Sequence, residues 1–408
     1  MKKALIVTTV SGFVPQFEMD NVRILQSMGY EVHYAANFDM PSYGYDNHRL
    51  DGTGIIRHPI RFLRSPYSAD NRKVYKELRE LMEREHFSLV HCHTPMGGVL
   101  ARLAAHATHT GPVIYTAHGF HFYRGAPLKN WLIYFPAEWF LSWFTDVQIC
   151  INREDYRMAG YLRAGKRYFV PGVGIDLERF SGHVNVRRKK EELGIGPDKR
   201  VLLSVGEVIM RKNQELMLRT LACLRDESLV YVLCGHGDLE NQLKEMAREL
   251  HVDHQVLFLG YREDMEEVYP IADILIHPSL QEGLPAAVLE AMASRLAIVG
   301  SDIRGNRDLI RDGYNGLLVK RFQPEAYAAA IQRLLDDDEM REQFAARNRR
   351  LARQYDSRII RVHMRKIYEN TLGTTKQWSV CEAAAGDNQE PGGLGKLSGG
   401  QLKCGRPK

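Results

Sequence analysis

The strongest constraint on the fold is an alternation, repeated twice along the chain, between short hydrophobic runs and helical patterns. The first series has the runs ALIVTTV, EVHYAA, SLVHCH, PVIYTAH and DVQICI, and the second has VLLSVG, VYVLCG, QVLFLG, DILIHP and AIVGSD. Between the runs, apolar residues recur at helical spacing, as at Val74, Leu78, Leu81 and Met82. Such spacing gives a helix one apolar face that covers a sheet. The alternation therefore predicts an α/β protein with parallel sheets.

A basic segment with few apolar residues, SGHVNVRRKKEELGIGPDKR, separates the two series. A chain of 408 residues exceeds what one hydrophobic core usually serves. We therefore predict two doubly wound Rossmann-like domains, at 1–175 and 176–354, that face each other across a cleft. A last helix is predicted at 355–372, and the Gly-, Gln- and Lys-rich composition of 373–408 predicts a disordered tail.

Composition and charge exclude several classes of protein. Hydrophobic residues make up 44% and charged residues 26%, as in globular proteins. The net charge of +5 is too small to indicate a nucleic-acid partner, but it allows a basic patch that contacts an anionic membrane. The six cysteines have no paired spacing, which favours reduced thiols and a cytoplasmic location. The segment MKKALIVTTV is too short for a signal peptide, and no run approaches the ~18 apolar residues that span a bilayer.

The segment HPSLQEGLPAAVLEAMA, residues 277–293, predicts a phosphate site at the start of a helix. A buried strand ends in this segment, and a helix runs from Ala286, with Pro285 at or near its first position, where a missing N–H costs nothing. The turn between strand and helix, which contains Gly283 and Leu284, should project into the cleft. Backbone N–H groups at the helix start, reinforced by the helix dipole, could hold a phosphate there.

Two carboxylates flank this predicted phosphate site. Glu282 lies just outside the helix, and Glu290 lies one to two turns within it. An ionised carboxylate can accept a pair of O–H bonds, and a nucleotide sugar carries hydroxyls on both sides of its diphosphate. The alternative is that Glu282 caps the helix and Glu290 lies on a solvated face.

Two further strand ends add cations and an aromatic ring to the predicted cleft. In SVGEVIMRKNQ, Arg211 and Lys212 lie at the next helix start, where they could meet a diphosphate, although a solvated basic loop has the same pattern. In FLGYRED, Tyr261 and Arg262 follow a glycine-bearing turn and could flank a base. An exposed turn would have the same sequence.

The first half of the chain contributes a Ser-Gly turn and four histidines. Gly12, directly after the first strand, should line the cleft, and the absence of a full Gly-x-Gly-x-x-Gly argues against a nicotinamide or flavin oxidoreductase. His91, His93, His118 and His121 lie near the ends of adjacent strands. A zinc site is disfavoured because no carboxylate or cysteine set accompanies them. We predict that they line the cleft and that His118 contacts substrate.

The aromatic segment LKNWLIYFPAEWFLSWF has two interpretations. Its aromatic rings and Lys129 could sit at a lipid interface. We favour instead a helix buried against the first sheet.

Taken together, these segments resemble glycosyltransferase family 4, of the GT-B fold, over about residues 1–372, and the bacterial capsule and exopolysaccharide type in particular. The matching segments are HTPMGGVLAR, YTAHGFHFYRGAP, INREDY, SVGE, LGYRED, PSLQEGLPAAVLEAMAS, SDIRGNRDLI and NGLLV. The resemblance implies that Glu282 holds sugar hydroxyls, Glu290 the ribose and Lys212 the diphosphate. It also implies that His118 lies against the transferred sugar and that Gly12 faces the phosphates.

By this resemblance, the protein is a retaining glycosyltransferase that needs no metal and no cofactor. It would move a hexose or N-acetylhexosamine from a nucleotide-diphosphate sugar, with a UDP-sugar favoured, to a lipid-linked or growing polysaccharide at the inner membrane face. A nucleotide-sugar 2-epimerase of the same fold, or a nucleotide-sugar-binding protein that has lost catalysis, are the alternatives.

Two residues depart from the family pattern. Glu207 stands where many members have an arginine, and Arg295 stands where we expect glycine. If the backbone at position 295 needs a positive φ, arginine there is costly.

Overall fold

The computed structural model describes residues 1–44 and 46–373; all of the predicted tail at 373–408 except its first residue lies outside the described residues. The first sheet contains β1 (Lys2–Val10), β2 (Tyr30–Asn37), β3 (Ile56–Pro59), β4 (Leu89–His93), β5 (Val113–Ala117), β6 (Val147–Cys150) and β7 (Lys166–Phe169). All neighbouring strands are parallel, in the order β3-β2-β1-β4-β5-β6-β7. This order is that of a doubly wound sheet.

The second sheet repeats this plan. It contains β8 (Arg200–Val205), β9 (Leu229–Cys234), β10 (Val256–Gly260), β11 (Ile274–His277), β12 (Ala297–Ser301) and β13 (Leu317–Val319). These strands are also parallel, in the order β10-β9-β8-β11-β12-β13. The predicted α/β class with two parallel sheets is confirmed. The predicted domain boundary, at 175/176, falls between β7 and β8 and stays a prediction.

Helices cover both faces of each sheet. They are α1 (Met19–Ser27), α2 (Asn71–Glu85), α3 (Pro95–Ala107), α4 (Leu128–Leu141), α5 (Arg153–Met158), α6 (Val186–Glu192), α7 (Gln214–Leu224), α8 (Glu240–Glu249), α9 (Met265–Val268), α10 (Ala286–Ala293), α11 (Asn306–Leu309), α12 (Pro324–Asp336), α13 (Asp338–Ala352) and α14 (Ser357–Leu372). None of the helices within the described residues combines the length and hydrophobicity needed to cross a bilayer.

Three strands that the hydrophobic runs did not indicate are β3, β7 and β13. Each lies at the edge of its sheet, where one side of the strand is unpaired and polar residues are tolerated. β3 has the sequence IRHP and β7 has KRYF, while β13 has only three residues. The central strands are covered on both faces and therefore read as continuous apolar runs.

The last helix, α14, packs against the first sheet. Its buried residues Ile360, Met364, Ile367 and Tyr368 join the core on one face of that sheet, which also contains Ile6 of β1 and residues of α1 and β2. The chain therefore forms the whole second sheet and then returns, through α14, to complete the core of the first sheet.

Arg295 occupies the left-handed position that ends α10. Its φ is 61°, the N–H of Leu296 donates to the Ala291 carbonyl at 3.0 Å, and the Arg295 N–H donates to the Met292 carbonyl at 3.3 Å. This is a Schellman motif, in which glycine is the usual residue at the position of Arg295. Position 295 therefore has the positive φ at which we predicted that arginine would be costly.

We expect Arg295→Gly to raise the free energy of unfolding by about 1 kcal/mol. The left-handed conformation costs an L-residue roughly 1–2 kcal/mol, which glycine avoids. Part of this stabilisation is offset because glycine increases the conformational entropy of the unfolded chain. The side chain is exposed, so little packing is lost. Urea unfolding of wild type, Arg295→Gly and the control Arg295→Ala measures the effect. Equal stability of the glycine variant and wild type would contradict it.

Candidate active site

The two sheets face a shared cavity of about 1800 Å³. Loops that follow strands of both sheets form its walls, including those after β5, β8 and β11. In the second sheet, β9 and β10 lie on one side of β8, whereas β11, β12 and β13 lie on the other. The gap between the loops after β8 and β11 is therefore the switch point at which doubly wound sheets bind ligands.

An ion cluster around the buried Glu282 occupies this switch point. Lys212 Nζ lies 2.8 Å from Glu282 Oε1, Arg211 Nη1 lies 3.0 Å from Glu282 Oε2, and His277 Nε2 lies 3.4 Å from Oε1. Burial opposes the charge on Glu282, but Lys212, His277 and Arg211 more than offset it and hold the pKa of its carboxyl well below the usual value. The structure thus brings together three predicted site residues, Lys212, Arg211 and Glu282, with the carboxylate ionised.

Backbone contacts between the two loops fix this cluster. Gly206 follows β8 with a φ of 144°, and a Cβ there would lie 3.1 Å from Lys212 Cε, so glycine makes room for the lysine stem. The Leu280 N–H donates to the Arg211 carbonyl at 2.8 Å, and Arg211 Nη1 donates to the Gln281 carbonyl at 2.9 Å. The positions of Lys212 and Arg211 are therefore set by the backbone as well as by charge.

Glu290 lines the same cavity but lies apart from the ion cluster. Its carboxylate accepts a hydrogen bond from Tyr269 Oη at 2.7 Å. Burial raises the pKa of Glu290, against the opposing effects of Tyr269 and of the charge on Arg179. The pKa values of the two predicted carboxyls are therefore shifted in opposite directions, because Glu282 has cations beside it and Glu290 has a phenol.

The predicted turn before α10 touches the other half of the molecule. A Cβ on Gly283 would lie 1.7 Å from the His118 carbonyl oxygen, so only glycine allows the loop after β11 to meet the loop after β5. Leu284 and Pro285 follow and line the cavity. Pro285 is the N-cap of α10, and the helix begins at Ala286, as predicted.

Gly12 lies behind the cavity wall rather than in it. A Cβ on Gly12 would lie 1.8 Å from the Ser42 carbonyl oxygen and 2.0 Å from that of Pro41. This glycine therefore serves a close approach of two loops, and its neighbour Phe13 is the residue that lines the cavity. Gly12 is therefore not in the cavity lining where we expected it, and its implied place facing the phosphates stays a prediction.

Tyr261 and Arg262 both line the cavity, after β10. The hydroxyl of Tyr261 accepts from Arg49 Nη1 at 3.3 Å. Arg262 Nε donates to Asp264 Oδ1 at 2.7 Å, and its Nη2 donates to the second oxygen of the same carboxylate. Because Asp264 holds the guanidinium, Arg262 presents a fixed, charge-paired side chain to the cavity.

The four predicted histidines divide between the cavity and the core. His118 and His121 line the cavity. His91 is fully buried, with Nδ1 2.8 Å from Tyr368 Oη on α14 and Nε2 2.8 Å from Thr116 Oγ1. Burial lowers the pKa of His91 to about 3. Its predicted place in the cleft lining is wrong, because β4 lies at the centre of the sheet with both faces covered.

Behind the wall, Glu18 and His93 contact His118. Glu18 ends a short π-helical segment, Val14–Glu18, before α1. Glu18 Oε1 lies 3.4 Å from His93 Nδ1 and 3.4 Å from His118 Nε2, and the two ring nitrogens lie 3.1 Å apart. The sequence argument against zinc assumed that no carboxylate converges on these histidines, and that assumption is wrong. The prediction of no bound metal stays a prediction.

A second site residue that the sequence did not reveal is Arg304, in the loop after β12. Its side chain is 3% exposed, and Nη1 lies 2.5 Å from Asp155 Oδ1 on α5. Nε donates to the Glu282 carbonyl at 3.1 Å, and Nη2 donates to the Phe120 carbonyl at 2.7 Å. Arg304 therefore joins the loop that carries Glu282 to the loop that carries His118. The segment SDIRGNRDLI matched the family pattern, but nothing local marked this arginine as buried.

Helix α4 is not the buried helix that we expected. Among its residues only Leu141 is buried, while Leu128, Leu132 and Phe140 are 73%, 68% and 53% exposed. One side of α4 packs on the core of the first sheet through Trp131, Tyr134 and Phe135. The other side forms an exposed apolar surface, which is unusual for a protein without a partner there.

Two family models and several named proteins match the sequence of this chain. The model of the family described as Glycosyltransferase Family 4 matches residues 19–179, and that described as Glycosyl transferases group 1 matches residues 185–351. EpsD of Bacillus subtilis, whose provisional name is that of a glycosyltransferase, is 36% identical over 93% of this chain and 100% of its own length. An Escherichia coli enzyme named UDP-Gal:alpha-D-GlcNAc-diphosphoundecaprenol alpha-1,3-galactosyltransferase is 30% identical over 70% of this chain and 77% of its own.

Solved structures share the fold. The crystal structure of Anabaena HepE in complex with UDP-glucose superposes with a TM-score of 0.73 and 16% identity, over 91% of this chain and 100% of that one. The glycosyltransferase WaaG superposes with a TM-score of 0.68 and 17% identity, over 90% of this chain and 99% of that one. With two parallel-sheet units, a shared cavity and these relatives, the chain is a GT-B-fold glycosyltransferase and belongs to glycosyltransferase family 4.

Proposed function

We propose that the protein is a retaining, metal-independent glycosyltransferase that moves a hexose or N-acetylhexosamine from a UDP-sugar to a lipid-linked or growing polysaccharide. The observation that carries this proposal is the ion cluster of Glu282, Lys212 and Arg211 at the switch point, directly before α10. The diphosphate is proposed to bind at the two cations and the helix start, and the sugar hydroxyls at the carboxylate.

Binding of the diphosphate would change the partners within this cluster. Its oxygens compete with Glu282 for Lys212 and Arg211, because phosphate and carboxylate bind the same donors. Glu282 is then available to accept hydrogen bonds from hydroxyls of the sugar. Glu290, within α10, is proposed to accept from the ribose.

In the transfer step, the bond between the anomeric carbon and the β-phosphate oxygen breaks, and the acceptor oxygen bonds to the same carbon. The acceptor's proton passes to the departing phosphate. Negative charge that develops on the phosphate is stabilised by Lys212, by Arg211 and by the N–H groups that begin α10. Because two side-chain cations stabilise this negative charge, the proposal needs no metal ion. Departure and attack on one face of the sugar retain the anomeric configuration.

The acceptor is proposed to be linked to a polyprenyl diphosphate, in capsule or exopolysaccharide synthesis. The name of the Escherichia coli relative gives a diphosphoundecaprenol acceptor, and a Campylobacter jejuni relative, 31% identical over 54% of this chain and 58% of its own, is named for an undecaprenol-linked acceptor as well. Membrane-embedded acceptors require an enzyme that reaches the bilayer surface.

The exposed side of α4 is proposed to make that contact, at the inner membrane face. Leu128, Leu132, Ile133 and Phe140 form an apolar surface, and the nearby Trp143 is 60% exposed with Arg163 5.9 Å from its ring. Aromatic and basic residues together favour an anionic lipid interface. Ile133 also lines the cavity, so this surface leads from the bilayer toward the site.

We expect the double variant Leu132→Glu, Phe140→Glu to bind phosphatidylglycerol vesicles at least about tenfold more weakly, because it loses buried apolar area and adds repulsion. Vesicle flotation measures the loss. The matched control is Val362→Glu, at a residue of α14 that is 53% exposed. Equal binding by the double variant and the control would contradict the assignment of α4.

The proposed function is tested with a panel of UDP-sugars and polyprenyl-diphosphate-linked acceptors, read by mass spectrometry. We expect one donor to give a product in the presence of a chelator, with an anomeric NMR signal of retained configuration. Inversion, or loss of activity in the chelator, would reject the mechanism. Incubation with UDP-N-acetylglucosamine alone tests the epimerase alternative, which predicts a new sugar without an acceptor.

A further inference from the structure

Three side chains fix the ring of His118: Phe13 in the cavity wall, and His93 and Glu18 behind that wall. The ring of Phe13 meets it edge to face, with centroids 4.8 Å apart. His93 Nδ1 and Glu18 Oε1 lie 3.1 and 3.4 Å from His118 Nε2. The side chains of Glu18 and His93 are 2% and 0% exposed. With Nε2 turned to the interior, Nδ1 is the ring nitrogen of His118 that remains for a ligand.

The cluster is neutral at neutral pH. Burial raises the pKa of Glu18 to about 8, although a hydrogen bond from Asn21 opposes the rise. Burial also lowers the pKa of His118 to about 4 and that of His93 well below its usual value. The carboxyl of Glu18 is therefore protonated, and both imidazoles are uncharged.

The position of each proton follows from the contacts. Nε2 of His93 is buried and has no hydrogen-bond partner among the described residues. A proton there would be an unpaired buried N–H, which proteins rarely leave, so the proton of His93 lies on Nδ1 and points to His118 Nε2. The carboxyl of Glu18 lies beside the same atom, with Oε1 at 3.4 Å. His118 Nε2 is thus an acceptor, and its own proton lies on Nδ1.

We propose that Glu18 and His93 are positioning residues that hold Nε2 of His118 as a hydrogen-bond acceptor, so that Nδ1–H donates to an oxygen of the transferred sugar. This inference rests on the proposed function for the identity of the sugar ligand. The tautomer of His118 does not depend on the proposed function, because it is a property of the protein alone. Glu18 and His93 therefore control the direction of the hydrogen bond that His118 makes.

The arrangement depends on pH through Glu18. The folded-state pKa of about 8 exceeds the ordinary value of 4.5, so Glu18 contributes its full stabilisation below about pH 4.5 and loses it as the pH rises to about 8. An ionised Glu18 would also draw the His118 proton to Nε2. The titratable groups that face Glu18 are His93, His118, Asp20, Tyr34 and Tyr368.

Variants at position 18 separate positioning from folding. Glu18→Gln keeps an uncharged side chain of the same shape beside His118 Nε2 and cannot ionise, so kcat should stay within about threefold of wild type, and the alkaline decline in activity should disappear. Glu18→Ala should lower kcat about 10- to 100-fold, since the ring is no longer held in place. The matched control is Glu31→Gln, because Glu31, His33 and His58 form a similar carboxylate–imidazole chain outside the cavity. Wild-type kcat and pH profile in Glu18→Ala would overturn the proposal.

Nitrogen-15 NMR of histidine-labelled protein without any substrate tests the tautomer directly. His118, assigned with His118→Gln, should carry its proton on Nδ1 in wild type and Glu18→Gln, and a mixture of tautomers should appear in Glu18→Ala. A proton on Nε2 in wild type below pH 8 would overturn the proposal even if no sugar donor had been found. Stoichiometric zinc in the purified protein that is lost in Glu18→Gln would also overturn it, since the cluster would then be a metal site.

Discussion

Lys212→Ala should lower the rate of sugar transfer about 10²- to 10³-fold, the cost of removing a group that stabilises charge in a transition state. The same substitution should also destabilise the protein, because Glu282 is buried and Lys212 Nζ, at 2.8 Å, is one of the cations that neutralise it. A loss of activity alone would therefore not separate chemistry from folding.

The double variant Lys212→Ala, Glu282→Gln makes that separation. Without the carboxylate, no buried charge needs the lysine, so urea unfolding should show most of the lost stability restored. Transfer, measured with the donor identified by the UDP-sugar panel, should stay at the level of Lys212→Ala or below. If the double variant regained activity, Lys212 would serve only to neutralise Glu282, and its proposed role at the diphosphate would be wrong.

Arg304→Ala has the second-largest expected effect. The substitution leaves the buried Asp155 carboxylate without its cation, which typically costs about 3–5 kcal/mol. Burial already raises the pKa of Asp155, so part of this cost can be relieved by protonation. The substitution also removes the hydrogen bonds from Arg304 to the Phe120 and Glu282 carbonyls. With the loops of Glu282 and His118 no longer joined, transfer should fall about 10²-fold.

The control for this prediction is Arg307→Ala, in the same segment. Arg307 binds Asp302 at 2.6 Å and is much more exposed than Arg304, so its loss should change little. Urea unfolding and transfer rates of both variants provide the measurements, and small-angle X-ray scattering should show a larger radius of gyration for Arg304→Ala alone. Wild-type scattering and transfer by Arg304→Ala would show that Arg304 does not hold the two loops together.

Much of the fold and part of the site follow from local sequence. Central strands of parallel sheets are apolar throughout, so the runs before Gly206 and before Pro278 were recognisable as strands. Ligands bind beyond the carboxyl ends of such strands, which is why Lys212 and Glu282 could be placed in one cleft. The direct pairing of these two side chains could not be predicted, because it depends on β8 and β11 being neighbours in the sheet.

Other features depend on contacts between distant residues. His91 and His118 both follow hydrophobic runs, but His91 lies within β4, where Tyr368 of α14 covers it, and His118 lies one residue beyond the end of β5. Glu18 has the sequence pattern of a capping acid at the start of a helix, although its side chain makes no cap. Nothing within a local window distinguishes such an acid from one that reaches a histidine at the end of β4 and another just beyond β5.

The return of α14 to the first sheet has a consequence for biosynthesis. Ile360, Met364, Ile367 and Tyr368 complete a core whose other members are drawn largely from the first strands and helix of the chain. During translation those early strands leave the ribosome long before α14 does. An apolar face of the nascent first half therefore stays uncovered until nearly all of the chain has emerged, which makes that half a natural substrate for ribosome-associated chaperones.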